Sequence, residues 1–130
     1  MAASFLTSII NGPDGPWLLR NQRNGAVLAD VVETAFERDA RNRGLLGRDG
    51  LARGHVLVLA PCNSIHTFFM RFAIDVAFVD RDGQVLAVRE ALRPWRLALE
   101  LRAFAVFELA AGALALTNTR RGDRLFLARE

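Results

Sequence analysis

The feature that most constrains this chain is an alternation of residue types in its middle. Large apolar side chains fall on every second position from 72 to 78, with small or charged ones between them: Phe72, Ile74, Val76 and Phe78 against Arg71, Ala73, Asp75 and Ala77. A period of two is that of a β-strand with one face in the core. Turn residues at 80–83 and an apolar return at 84–88 follow. The pattern predicts a β-hairpin.

Short apolar segments separated by turn residues recur on both sides of this hairpin. An Asn-Gly step at Asn24 between the runs 17–19 and 26–32 predicts an earlier hairpin. Further strands are expected at 55–60, 104–109 and 124–127, a helix within 34–46, and a helical turn or two in 110–116. So few helices cannot cover both faces of a parallel sheet, which disfavours βαβ winding. We predict a mainly β (α+β) fold, a small closed or half-open barrel or sandwich of mostly antiparallel strands with one short helix.

The length and the turn residues define the expected domain organisation. The 130 residues suffice for about one domain. Residues 1–16 are rich in turn formers and predict a loose N-terminal arm, followed by a single β-rich domain over 17–130. No stretch approaches the roughly 20 apolar residues of a membrane span, and the opening lacks the pattern of an export signal. We therefore expect no membrane span and a cytoplasmic location.

The charge pattern argues against nucleic acid as a partner. The sequence pI of about 10.8 arises because all 17 basic residues are arginine and no tyrosine is present, whereas the net charge is only +3. The arginines are scattered among 14 acidic residues. A phosphate-binding surface concentrates its cations on one face. Nucleic acid is therefore an unlikely partner.

Cys62 and His66 are the residues to consider for metal or nucleophilic chemistry. With Asp75 or His55 they would be candidate zinc ligands, but structural zinc sites use two short-spaced ligand pairs and the second pair is missing. We predict no metal and no cofactor. As a nucleophile and base the two residues would lie about 13 Å apart along an extended strand. A turn after Pro61 would bring them closer, so this alternative stays open.

Several polar residues interrupt the apolar β segments and form a candidate ligand-binding patch: His66, Thr67, Arg71, Asp75 and Arg96. Asp75 lies either in solvent or paired with Arg71, or else at a binding site at the mouth of a barrel. Arg96 follows Pro94 and Trp95, so a guanidinium lies beside a planar aromatic ring. Glu108 ends a predicted strand and, like Arg96, is open to a binding role or a structural one. We expect the five patch residues to cluster around one concavity.

Four motifs in order resemble the bacterial and archaeal family called domain of unknown function 192. They are the segments 43–48 (RGLLGR), 65–80 (IHTFFMRFAIDVAFVD), 108–112 (ELAAG) and 122–123 (GD). The resemblance covers roughly 26–128 and implies a compact, mainly β fold with a short helix, but no established reaction. Ala73 and Ala110 stand where the family often has proline. Some members look like neighbours of pilus-assembly genes, which implies a link to envelope or pilus assembly.

The sequence favours a non-enzymatic accessory module that binds an unknown small molecule or protein partner, as a monomer or weak homodimer. The alternative is a small-molecule hydrolase or other acid-base enzyme that uses Asp75 and His66. A third class, the structural partner of a larger assembly, would show an exposed apolar area beside Trp17 or Trp95.

Overall fold

The computed structural model describes residues 4–7 and 16–129 of the chain, which contain nine β-strands and two short helices. The strands are β1 (Trp17–Asn21), β2 (Val27–Ala35), β3 (Gly54–Leu59), β4 (Ser64–His66), β5 (Ile74–Val79), β6 (Val85–Leu92), β7 (Leu97–Leu99), β8 (Ala105–Ala110) and β9 (Leu125–Arg129). The helices are α1 (Arg38–Arg43) and α2 (Ala113–Leu116). Neither helix is long and apolar enough to cross a membrane.

Seven of the strands form one curled sheet in the order β6-β5-β8-β3-β2-β1-β9. The hairpin turn before β6 lies against the start of β9, where Leu125 N–H donates to Gly83 O and Val85 N–H donates to Asp123 O. A side chain at Gly83 would collide with the Leu125 carbonyl oxygen, so glycine permits this approach. The sheet is a half-barrel, and β4 and β7 form a separate antiparallel pair. The predicted mainly β fold is confirmed.

One connection departs from the expected antiparallel pattern. β2 and β3 pair in parallel, with Val32 opposite Val56 and Ala35 opposite Leu59, and α1 lies in the crossover between them. The disfavoured βαβ unit therefore occurs once, in a sheet whose other neighbours are antiparallel. A single crossover helix is enough here because only one pair of strands in this sheet is parallel.

The helix expected within 34–46 is shorter than its apolar spacing suggests. Thr34 and Ala35 extend β2 and pair with β3, so α1 begins at Arg38. It ends at Gly44, whose φ of 47° no longer fits a right-handed helix. The second helix, α2, is one turn in the alanine-rich segment where a turn or two was expected.

The central hairpin is present, but both faces of its first strand are buried. β5 and β6 pair antiparallel as predicted. Ile74, Val76 and Phe78 pack in one apolar cluster, while Ala77 and Val79 pack in a second cluster on the opposite face. Ala77 therefore lies in a core rather than in water, whereas Ala73 is partly exposed. This double burial also places Asp75 in the interior.

The described part of the expected N-terminal arm packs on the domain. Leu6 is fully buried, and the Phe5 ring meets Phe107 edge to face with 5.7 Å between centroids. Phe5 N–H donates to Arg81 O at 2.8 Å. Residues 4–7 thus contribute to the core, whereas 1–3 and 8–15 of the expected arm lie outside the described residues.

Candidate functional site

A cleft of about 390 Å³ opens on the face of the sheet that carries Val76 and Val106. The end of α1 and strand β4 form its mouth, and the loop after α1 forms one wall. Its polar lining residues are Arg41, Asn42, Arg43, Cys62, Ser64, His66 and Glu108, and its apolar ones include Leu45, Leu59, Ile65 and Met70. Cavities of about 300–1,000 Å³ with a few polar groups are typical of small-molecule sites.

Glu108 lies at the base of this cleft. It sits on β8 opposite Leu57 of β3 and Val76 of β5, so its side chain shares a face with two apolar neighbours. The residue is 4% exposed. Its carboxylate has no hydrogen bond or ion pair with any residue of 4–7 or 16–129. Arg20 Nε is the one fully enclosed side-chain N or O atom without a partner in the described ranges, so the Glu108 oxygens keep some access to the cleft. A carboxylate that is largely buried without a partner is nevertheless costly.

Burial raises the pKa of Glu108 to about 7, and the nearby Arg48 guanidinium opposes the rise. Arg48 does not neutralise the carboxylate, because its own NH1 is 2.8 Å from Glu33 Oε2. Glu108 Oε1 points to the end of α1, where a methyl group on Gly44 would lie 3.9 Å away. Near neutral pH the cleft base therefore holds a group that donates or accepts a proton readily.

Two arginines of α1 give the mouth of the cleft a positive charge. Arg41 and Arg43 occupy the last turn of the helix and both line the cleft. Arg41 NH1 donates to Phe36 O and, at 3.5 Å, to Ala60 O, so backbone carbonyls hold one end of the guanidinium. A guanidinium carries five donors, so these contacts leave others for an incoming acceptor. The cleft thus has a carboxyl at its base and cations at its mouth.

Cys62 also lines this cleft, and its thiol is protonated. Its Sγ donates to Ser64 O at 3.2 Å. Burial raises the pKa of the thiol and the Glu108 charge raises it further, while the backbone hydrogen bond to Ser64 and the Arg41 charge lower it by less. The thiolate is the nucleophilic form of cysteine. Cys62 is therefore poorly suited to the nucleophilic role that the sequence left open, although His66 lies at the same cleft.

The state of Cys62 is testable by alkylation. We expect the folded protein to react with iodoacetamide at pH 7.5 at least ~10-fold more slowly than the same protein in urea, because the thiol is both half-buried and protonated. The rate should rise with a midpoint above the ordinary thiol pKa of 9.0. A midpoint below that value would show an activated thiolate and would restore the nucleophile hypothesis.

The structure brings only some of the five predicted patch residues together. His66 is exposed and lines the cleft mouth. Thr67 and Arg96 are in contact, since Arg96 N–H donates to Thr67 Oγ1 at 2.9 Å. Arg71 pairs on the surface with Asp49 at 2.6 Å, and not with Asp75 as one interpretation expected. The binding role of the patch stays a prediction, and His66 is its member at the cleft.

Asp75 has a structural position away from the cleft. It is fully buried on the side of the sheet occupied by Ala77 and Val79. Its Oδ1 accepts the N–H of Ala91 at 2.8 Å and its Oδ2 accepts the N–H of Leu114 at 2.9 Å. The carboxylate thereby ties β5 to β6 and to the first turn of α2. Both oxygens are engaged with backbone, which leaves little capacity for a ligand.

Sequence reasoning missed Glu108 and Arg41 as cleft residues. The sequence predicts Glu108 at the polar end of a strand, but β8 continues through Ala110 and is buried along its whole length. A carboxylate inside an otherwise apolar run was the signal available. Arg41 was indistinguishable from the other arginines of its helix. Across the described ranges, no cluster of three or more His, Cys, Asp and Glu side chains is arranged to hold a metal ion.

The fold and the cleft define a small β-rich half-barrel protein with one candidate small-molecule site, and comparison with known proteins gives its family. The family model DUF192, described as "Uncharacterized ACR", matches residues 19–127. The chain belongs to this family. A UPF0127 protein of Thermococcus sibiricus (strain DSM 12597 / MM 739) is 31% identical over 113 residues, which cover 83% of this chain and 73% of that protein.

Two solved structures share the fold. One, from Sinorhizobium meliloti 1021, is described as a "putative transcription regulator"; it has a TM-score of 0.73 and 22% identity, over 88% of this chain and 96% of that one. The other, a protein of unknown function from Novosphingobium aromaticivorans DSM 12444, has a TM-score of 0.73 and 19% identity, over 85% and 82% of the two chains. At these identities the likeness concerns the fold alone.

Proposed function

We propose that this protein is a non-enzymatic binding module whose ligand is a small zwitterion of the amino-acid type with an apolar side chain. The observation that carries the proposal is the Glu108 carboxyl, which is 4% exposed, lines the cleft and has no partner in the described ranges. Folded proteins pair their buried charges, so a buried group left without a partner calls for an explanation. A ligand ammonium supplies the missing partner.

The rest of the cleft complements such a ligand. Arg41 and Arg43 at the mouth suit a carboxylate, since guanidinium groups bind carboxylates through paired hydrogen bonds. Leu45, Leu59 and Met70 offer an apolar wall for a side chain. The cleft contents support binding more than catalysis, because Cys62 is a protonated thiol and Asp75 lies elsewhere in the fold.

The proposal is tested by thermal shift with three matched groups of compounds. Leucine and methionine carry both charges, isopentylamine lacks the carboxylate, and 4-methylpentanoate lacks the amine. We expect the zwitterions at about 100 times their Kd to stabilise the protein by about 2.7 kcal/mol, and the single-charge analogues to bind at least ~10-fold more weakly. Binding should then be confirmed by calorimetry.

Variants locate the binding in the cleft. Glu108→Gln should weaken zwitterion binding at least ~10-fold by removing a charge-assisted hydrogen bond, and Arg43→Gln should weaken it less. Glu90→Gln, at an exposed position on β6, is the matched control and should leave binding unchanged. Equal binding by wild type and Glu108→Gln, or stabilisation by none of the compounds, would refute the proposal.

The hydrolase alternative has no support in this geometry, because both Asp75 oxygens accept backbone N–H groups and His66 lies at the separate cleft. The descriptions of the relatives do not mention envelope or pilus assembly, and the proposal does not include it. A cytoplasmic location and a monomeric or weakly dimeric state remain part of the proposal as predictions.

A further inference from the structure

A second surface of the domain exposes large apolar side chains that a folded protein normally covers. We call it the aromatic face and define it by Phe68, Phe69, Trp95, Leu97 and Leu99. The exposed fractions of Phe69 and Trp95 are 72% and 55%. By contrast, Trp17 is 9% exposed. An exposed apolar area beside Trp17 or Trp95 is the feature expected of the structural partner of a larger assembly. The structure has such an area at Trp95.

Strand pairing and ring contacts make this face continuous. In the β4–β7 pair, Ile65 and Ala98 point to the core, while Leu97 and Leu99 point outward. The Phe68 ring lies 6.0 Å from the Trp95 ring, and the Phe69 ring lies 4.6 Å from it. Exposed apolar groups scattered singly need no explanation, but a contiguous set marks an interaction surface.

The two loops that carry the rings are fixed to each other. Buried Thr67 donates its hydroxyl to Arg93 O at 2.6 Å, and its backbone N–H donates to Arg96 O at 2.8 Å. The N–H of Trp95 donates to Thr67 O at 3.0 Å. Phe69 and Trp95 have φ values of 65° and 66°, a left-handed conformation that is unfavourable for bulky residues. The loops therefore hold the rings outward in a strained arrangement, as is common at functional sites.

The chain segments that carry the aromatic face have a positive net charge, which favours an anionic partner. The segments 61–73 and 91–103 contain four arginines, Arg71, Arg93, Arg96 and Arg102, and one acidic residue, Glu100. Their net charge is +3, equal to that of the whole chain, because the remaining residues hold 13 basic and 13 acidic groups. Of the four arginines, Arg71 is paired with Asp49, and Arg102 lines a separate groove together with Asp80 and Asp82. Arg93 and Arg96, on either side of Trp95 in the chain, have no ion pair within the described ranges.

We propose that the aromatic face docks on an anionic lipid surface. Aromatic and leucine side chains enter the boundary between headgroups and acyl chains, and arginines beside them attract the negative headgroups. The high exposure of Phe69 and Leu97, at 72% and 62%, fits side chains that project into a bilayer better than side chains that line a groove. The docking is peripheral and reversible. The aromatic face adjoins the cleft, because the His66 ring at the cleft mouth stacks on Phe68 with 5.0 Å between the ring centroids.

The experiment is co-sedimentation of the full chain with vesicles. One set contains phosphatidylcholine with phosphatidylglycerol at about three to one, and the other contains phosphatidylcholine alone. We expect at least ~5-fold more protein to sediment with the anionic vesicles at low salt, and we expect the difference to fall at high salt as the charges are screened. Equal sedimentation with both sets, or none with either, would overturn the proposal.

Variants separate the lipid surface from other partners. Phe69→Ser with Trp95→Ser should lower the bound fraction at least ~5-fold, and Arg93→Gln with Arg96→Gln and Arg102→Gln should do the same. Leu116→Ser, an equally exposed leucine on α2, and Arg120→Gln with Arg121→Gln are matched controls that should not change it.

Circular dichroism checks folding, and the arginine set keeps the test valid if the aromatic set misfolds. If the wild type forms dimers and Phe69→Ser abolishes them, the aromatic face binds a second copy of the chain. That result would refute the lipid proposal.

Discussion

Glu108→Gln should raise the free energy of unfolding above that of the wild type at pH 8, and the increase should be much smaller at pH 5. The shift in the Glu108 pKa from 4.5 to about 7 means that the folded state keeps a proton that the unfolded chain has already released in this range. Wild-type stability therefore falls as pH rises from about 4.5 to 7 and is constant above. At about 1.4 kcal/mol per unit, the gain from the neutral glutamine should grow by about 2–3 kcal/mol between pH 5 and pH 8.

Urea unfolding at the two pH values measures this gain directly. Glu90→Gln removes an exposed carboxylate and serves as the control, with a change within about 0.5 kcal/mol that does not depend on pH. The stability gain at pH 8 minus the gain at pH 5 does not contain the cost of packing the glutamine amide, because that cost is the same at both pH values. A gain that does not depend on pH would mean that Glu108 has an ordinary environment. A residue whose substitution raises the stability of the protein is typical of a functional site.

Asp75→Ala should destabilise the fold by about 3 kcal/mol, because one buried and one part-buried backbone N–H group lose their acceptor at once. The donors are Ala91 of β6 and Leu114 of α2, at 2.8 and 2.9 Å. Ala91 has a φ of 49°, so its carboxylate contact also holds an unfavourable backbone conformation. Thermal or urea unfolding at neutral pH gives the value.

Two further variants control the Asp75 experiment. Asp75→Asn keeps one acceptor oxygen and should lose less than Asp75→Ala, and Asp82→Ala, in an exposed turn, should change stability by no more than about 0.5 kcal/mol. An Asp75→Ala protein with wild-type stability would return the carboxylate to the ligand-binding or catalytic roles that its position in the sequence suggested.

The sequence predicted the strands well where periodicity and turn chemistry agree. The hairpin of β5 and β6 and that of β1 and β2 follow from alternating apolar residues around Asp-Gly and Asn-Gly turns. The parallel pairing of β2 with β3 was not predictable, because it depends on which strands become neighbours after α1 crosses the sheet. Local patterns determine elements, whereas pairing across the sheet is decided by the packing of the whole chain.

The candidate site was less predictable than the fold, for a related reason. His66 was identified as an interruption of an apolar segment and does line the cleft. Asp75 interrupted a similar segment, but its neighbours Ala91 and Leu114 are 16 and 39 residues away in the chain, so its engagement in the core could not be seen locally. Glu108 is the opposite of Asp75, because no described residue pairs with its carboxylate. Only the fold reveals this lack of a partner.

The most direct test of the account is a titration of the Glu108 side-chain carboxyl, followed by the carbon chemical shift of a selectively labelled protein, with Glu108→Gln to assign the signal. A buried and unpaired carboxyl at the cleft base predicts a midpoint near pH 7. A midpoint near the ordinary glutamate value of 4.5 would contradict it. In that case the carboxylate would be solvated or paired, and the cleft would lose the feature on which its proposed ligand depends.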